Sequence, residues 1–156
     1  MKRTNEVVET AGGSAGTLLE NHEPRPMRAT RPARILVAED NLINQVIIRK
    51  YLEQWGHSVV NVVDGEAASA SFNEGEFDLV ILDVQMPKRS GYEVAATIRA
   101  AEQASHHRTP IIAVTACDTS DDRARCFAAG MDDYLLKPLV ARDLFECVER
   151  LTATRA

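Results

Sequence analysis

Five short apolar runs, rich in β-branched residues and separated by longer segments of helical character, govern what this chain can fold into. The runs are ILVA (35–38), SVVNV (58–62), DLVIL (78–82), PIIAV (110–114) and DYLL (133–136). Each is too short for a helix, and near-continuous apolar strands belong in a parallel sheet covered on both faces. The alternation predicts an α/β domain: a five-stranded parallel sheet, doubly wound, of (βα)5 type.

Helix signals fall between the strands. Ile43, Val46, Ile47, Tyr51 and Trp55 lie near helical spacing, with Asn41 as a cap and Gly56 as a left-handed terminator. A second helix follows Asp64 and stops at Gly75. A third runs from about Gly91 to Ala104 with Val94, Ile98 and Ala101 on one face. A fourth starts near 118–120 and ends at Gly130, and a fifth spans about Val140 to Thr152 with Leu144, Cys147, Val148 and Leu151 inward.

Residues 1–33 read differently. They hold three of the eight glycines and three of the six prolines with little hydrophobic periodicity, the pattern of a flexible linker or tail, with a short helix conceivable near 17–21. The domain is expected over 34–152, with 153–156 as a C-terminal tail. Of 18 basic and 23 acidic residues, five and four fall in 1–33, so the folded part is acidic, which argues against direct nucleic-acid binding. No apolar stretch is long enough for a membrane span or has signal-peptide character, so a cytoplasmic protein is expected. Cys117, Cys126 and Cys147 are odd in number and outside any CxxC pattern, which predicts reduced thiols.

Polar residues collect where the strands end. The first run leads into Glu39-Asp40, the third into Asp83, the fourth into Thr115 and the fifth into Lys137-Pro138. In an open parallel sheet these carboxyl ends form the ligand-binding edge. Converging carboxylates repel one another unless a cation sits among them, and hard oxygen donors with few protein ligands favour Mg²⁺. Lys137 offers a compact positive charge and Thr115 a hydroxyl, which with an oxygen nucleophile are the requirements of phosphoryl transfer. Asp83, closing the most apolar strand, is the candidate nucleophile. Asp40 is the candidate carboxylate metal ligand, and Glu39 contributes charge or binds through water. A flavodoxin-like strand order, assumed at this point, sets the first and third strands side by side so that Asp40 and Asp83 share one ion.

The segments ILVAEDNLINQ, DLVILDVQMPKRSGYEV, TPIIAVTA and GMDDYLLKPL, in this order and spacing, resemble the receiver domains of two-component response regulators and hybrid histidine kinases, most of all the C-terminal receiver of a hybrid kinase. The resemblance implies the flavodoxin-like receiver fold, an acidic pair at Glu39 and Asp40, phosphoacceptor Asp83, a metal ligand in the Gln85 backbone carbonyl, switch hydroxyl Thr115, phosphate-binding Lys137, a switch aromatic at Tyr134 and a cis Lys137-Pro138 peptide. It implies Mg²⁺ as cofactor, and a histidine kinase or histidine phosphotransfer protein as partner. A kinase core in the same chain and a phosphorylation-dependent dimer are further partners of this kind.

The loop after Asp83 departs from many relatives, because Lys88 and Arg89 make it basic and Ser90 takes a commonly acidic position. Gln85 and Cys117 occupy places that in this family influence hydrolysis of the phosphoryl group. The expected function is a phosphoacceptor in a phosphorelay, with self-catalysed transfer and autodephosphorylation. The rivals are an unphosphorylated docking or autoinhibitory receiver of a hybrid kinase, and a small aspartate-nucleophile phosphatase, for which no cap segment is found.

Taken singly, other residues read as structural. Cys117 is expected as a small apolar filler, Cys126 and Cys147 as core residues, and His106-His107 as part of a solvated loop. His57 falls at a helix-to-strand turn. Asp121-Asp122 and Asp132-Asp133 are expected to start a helix and enter a strand. With few residues after Leu151, the output is expected on another molecule or N-terminal to this segment.

Overall fold

The computed structural model describes residues 26–153. In chain order the elements are β1 (Arg34–Ala38), α1 (Leu42–Gln54), β2 (Ser58–Val62), α2 (Gly65–Glu74), β3 (Leu79–Asp83), α3 (Gly91–Glu102), β4 (Ile111–Thr115), α4 (Ser120–Ala128), β5 (Asp133–Leu136) and α5 (Ala141–Ala153). All strand pairs are parallel and the sheet order is β2-β1-β3-β4-β5. The predicted doubly wound α/β architecture and the adjacency of β1 and β3 are both present. The short helix conceived near 17–21 lies outside the described residues.

Side chains alternate across the sheet, so each strand feeds two cores. Leu36, Val80, Leu82, Ile111 and Ala113 pack under α2, α3 and α4 with Ala68, Val94, Ile98 and Cys126. Ile35, Val37, Ile81, Ile112 and Val114 pack under α1 and α5 with Ile48, Leu52, Leu144 and Val148. β3 and β4 are buried along their whole length, which is why their sequences are almost unbroken in apolar residues.

Helix starts follow their caps. Asn41 Oδ1 accepts from the N–H groups of Ile43 and Asn44, Asp64 Oδ1 accepts from Ala67 N–H, and Ser90 with Glu93 forms a reciprocal capping box on α3. Gly56, at φ 108°, turns the chain from α1 into β2 in the left-handed region that glycine tolerates. Asp121 and Asp122 fall in the first turn of α4, and Asp133 opens β5.

Two helix faces differ from expectation. On α1 the buried residues are Gln45, Ile48 and Leu52, whereas Ile43, Val46 and Ile47 are exposed. The apolar set on this helix is wider than one face, so periodicity pointed to a direction turned away from the sheet. On α3 the buried positions are Gly91, Val94, Ala95, Ile98 and Glu102, and Ala101 faces solvent. Glu102 is held inside by Arg99 and by the N–H of Thr109, so a charged residue takes a place that apolar counting assigns elsewhere.

Cys126 and Cys147 are buried, as read from the sequence, but Cys117 is exposed rather than a filler. Burial pushes the Cys147 thiol up to about 12, helped by the adjacent Asp133 carboxylate, which keeps it protonated. No helix among the described residues is long and apolar enough to cross a membrane.

The residues just ahead of β1 are tied across the amino ends of the strands. Ala29 N–H donates to the Trp55 carbonyl, and the N–H and hydroxyl of Thr30 both donate to the Glu149 carboxylate of α5. Ala33 N–H donates to His57 Nδ1 at 3.0 Å, and His57 is only 5% exposed. Burial lowers the pKa of His57, opposed by the charges of Glu149 and Asp78. The folded state therefore selects neutral His57, because protonation would remove the acceptor for Ala33. Its contribution is fully present above the free histidine value of about 6.5 and is lost as pH falls through the lower folded value. His57→Leu, which leaves a buried N–H unpaired, should lower stability by about 1–3 kcal/mol at pH 8. Urea midpoints measured against pH should show the gap between wild type and variant closing on acidification.

Candidate functional site

β1 and β3 are neighbours, and the carboxylates at their carboxyl ends meet. Ligand oxygens of Glu39, Asp40 and Asp83 all lie within 4.8 Å of one another. Asp83 is the last residue of β3 and 4% exposed, Glu39 follows β1 and is 1% exposed, and Asp40 is open to solvent. Together with Asn44, Gln85 and Lys137 they line an open cleft of about 370 Å³.

Lys137 closes the far side. Its Nζ is 2.9 Å from Asp83 Oδ2 and 3.3 Å from Glu39. Lys137 N–H donates to the Thr115 carbonyl just past the end of β5. The Lys137-Pro138 peptide is cis, as expected. Burial raises the pKa of Asp83; Lys137 opposes this and the Glu39 carboxylate adds to it. For Lys137 burial acts downward, but the hydrogen bond and charge of Asp83, with Glu39, outweigh it and the pKa is raised. The ammonium is therefore held protonated against its two partners.

One ammonium against three carboxylates leaves the cleft anionic. Glu39 Oε1 accepts from Asn44 Nδ2 and from Lys137, whereas Oε2, buried and 3.3 Å from Lys137 Nζ, has no hydrogen bond. A buried carboxylate oxygen without a hydrogen bond, beside two further carboxylates, is a donor set suited to a hard divalent cation such as Mg²⁺. The residues present fit that ion.

The backbone around Asp83 is tightly set. Gln85 N–H donates to Asp83 Oδ1 at 3.0 Å, and Gly91 N–H donates to the Val84 carbonyl. A Cβ on Gly91 would sit 2.5 Å from the Asp83 carbonyl oxygen, so the start of α3 approaches the end of β3 as closely as only glycine allows.

Thr115 and Tyr134 stand beside the carboxylates rather than among them. Thr115 is the buried last residue of β4, and its hydroxyl accepts from Cys117 N–H at 3.1 Å. It lines an adjoining groove with Asp40, Gln85 and Cys117. Tyr134 pairs with Ala113 in the β4–β5 register, two positions before Thr115, and packs on the same side of the sheet.

Two contributors escaped the sequence reading. Asn44 donates to Glu39, and Gln45 Nε2 donates to the carbonyls of Glu39 and Val62, pinning the acidic turn from α1. Their signal was a polar pair among the apolar residues of a helix starting two residues after the acidic pair. The basic pair after Asp83 turns away from the carboxylates: Lys88 is nearest Asp64 and Glu66, and Arg89 reaches Ser69 and Thr97.

Known proteins are similar to this chain in sequence and fold. The family model described as the response regulator receiver domain matches residues 35–149. The virulence sensor protein BvgS of Bordetella pertussis is 42% identical over 117 residues, covering 73% of this chain and 10% of BvgS. The sensor protein GacS of Pseudomonas syringae is 37% identical over 128 residues, 81% of this chain and 14% of GacS. The chain thus spans about a tenth to a seventh of the length of these sensor proteins. The receiver domain of sensor histidine kinase PA1611 from Pseudomonas aeruginosa, solved with a magnesium ion in its active site cleft, superposes with a TM-score of 0.72 at 36% identity, over 80% of this chain and all of that one. The Ssk1 receiver domain of Saccharomyces cerevisiae, solved with the histidine phosphotransfer protein Ypd1, gives a TM-score of 0.73 at 28% identity, over 86% of this chain and 94% of that one. With the order of its strands, the acidic cleft at their ends and a family match over most of its length, this chain belongs to the response regulator receiver domains of two-component systems.

Proposed function

We propose that the domain accepts a phosphoryl group from a phosphohistidine onto Asp83 and changes conformation in response. The observation that carries this reading is the contact of Asp83 with Lys137 inside an anionic cleft: a carboxylate held at a strand end with a protonated amine on one side and space on the other. Asp83 Oδ1 is engaged by Gln85 N–H and Oδ2 by Lys137, which orients the carboxylate for in-line attack on phosphorus. Attack forms the O–P bond as the P–N bond to histidine breaks, and the imidazole leaves with the electron pair.

Asp40, Asp83 and the Gln85 carbonyl would hold Mg²⁺, with Glu39 acting indirectly, and the ion supplies positive charge toward the phosphoryl oxygens. Lys137 then turns from the carboxylates to a phosphoryl oxygen, and the Thr115 hydroxyl gives up Cys117 N–H to donate to another. Those new contacts bias the loops after β3, β4 and β5, with Tyr134 following Thr115. Asp83→Asn should abolish Mg²⁺-dependent phosphate incorporation, read by intact mass after treatment with a small phosphodonor such as acetyl phosphate. Undiminished labelling of that variant would sink the assignment.

A donor must reach Asp83 over the rim of the cleft. Beside it Leu42, Ile43, Val46 and Ile47 on α1 and Val140 ahead of α5 are all exposed, 41% to 71% of each side chain's residue surface being open. Between α1 and the Lys137-Pro138-Leu139 turn runs a groove of about 410 Å³. Contiguous apolar surface rimmed by polar residues marks a protein contact, and the Ypd1 complex of a related receiver supports a histidine phosphotransfer protein or kinase helix bundle as the partner. Ile43→Asp with Val46→Asp should slow transfer from the cognate phosphohistidine protein at least about tenfold, an effect of the size expected for losing interface anchors. Labelling by acetyl phosphate should stay at the wild-type rate.

A further inference from the structure

The loop that joins Thr115 to α4 is wired to Tyr134 by one arginine. Asp118, three residues past Thr115 and just ahead of the α4 cap Thr119, accepts from Arg123 Nε at 3.0 Å and from its Nη2. The same guanidinium lies over the Tyr134 ring, 5.0 Å from its centroid. The ring also meets Phe127 of α4, centroids 6.4 Å apart and nearly perpendicular. Tyr134 is therefore held against α4 by two side chains one turn apart, and the nearer of them is anchored to the loop that follows Thr115.

We propose that Arg123 is a positioning residue that couples the state of the Thr115 loop to the placement of Tyr134. The inference rests on the phosphoacceptor reading of Asp83, since the movement of Thr115 toward a phosphoryl oxygen is its input. When the loop is drawn toward Asp83, Asp118 travels with it and takes the guanidinium off the ring. Tyr134 then loses its cationic neighbour while keeping its strand position, and its ring is released to follow Thr115, which lies two register positions along the same side of the sheet.

The contacts are of the right strength for a bias rather than a lock. The side chains of Arg123 and Asp118 are 47% and 43% exposed, so solvent screens their attraction. An exposed cation–π contact shifts an equilibrium by only about two- to fivefold. A tighter clamp would resist the phosphoryl signal, and a looser one would leave Tyr134 insensitive to it.

The test follows Tyr134 by ¹⁹F NMR of fluorotyrosine-labelled full-length chain, titrated with beryllofluoride in the presence of Mg²⁺. Arg123→Ala should move the unliganded Tyr134 resonance toward its beryllofluoride-bound position and lower the half-saturating beryllofluoride concentration about two- to fivefold. Asp118→Asn, which disconnects the guanidinium from the loop and leaves it over the ring, should raise the half-saturating beryllofluoride concentration, and Arg123→Lys, which retains the cation, should restore part of the wild-type response. Acetyl phosphate labelling of Asp83 should persist in all three variants. If beryllofluoride binds and the Tyr134 response is identical in wild type and Arg123→Ala, the coupling is overturned while the phosphoacceptor reading stands. If beryllofluoride and acetyl phosphate leave wild-type Asp83 untouched, the phosphoacceptor reading falls and takes the coupling with it.

Discussion

Two buried carboxylates at the ends of adjacent strands are the constraint around which this domain is arranged. Glu39 and Asp83 are almost fully removed from solvent, and an ionised carboxylate in such a place is costly unless charge and hydrogen bonds surround it. Lys137 answers both at once, Asn44 answers Glu39, and the amide of Gln85 answers Asp83. Each of these partners comes from a different loop or helix, so the cleft ties the ends of β1, β3 and β5 together. A site built in this way is under internal tension: removing negative charge or adding positive charge relieves it, and the loops that supply the partners are the parts free to respond.

The strand framework was legible because its signal was redundant. β3 and β4 are buried on both faces, so every residue had to be apolar until the chain reached Asp83 or Thr115, and the end of each run marked the site. The spacing of Glu39-Asp40, Asp83, Thr115 and Lys137 then located them on one edge without any knowledge of side-chain direction. What could not be read was anything that depends on rotation about a helix axis. α1 carries more apolar residues than the sheet can cover, so periodicity alone could not say that Ile48 and Leu52 point inward while Ile43 and Val46 face out.

Polar side chains in apolar places were the second source of error. Gln45 and Glu102 are buried because backbone carbonyls, an arginine and an amide N–H meet them there. Arg99 and Thr109 stand close to Glu102 in sequence, but hydrophobic periodicity carries no record of a carboxylate satisfied by its neighbours. Cys117 was misplaced for the opposite reason: a small residue just past a buried strand looks like packing, yet the chain has already turned out toward the groove beside Thr115. The same turn puts Asp118 within reach of Arg123.

The bonds from Ala29, Thr30 and Ala33 to Trp55, Glu149 and His57 fix where the polypeptide enters the domain. They lie at the amino ends of the strands, and Asp83 lies at the carboxyl ends. A five-residue strand is about 17 Å long, so the point at which the chain enters the domain is separated from the acidic cleft by the length of the sheet. A group joined at that entry meets the cleft only around the flank of the domain. The docked entry therefore sets a minimum reach for any group attached there, a restriction that a separate molecule does not meet.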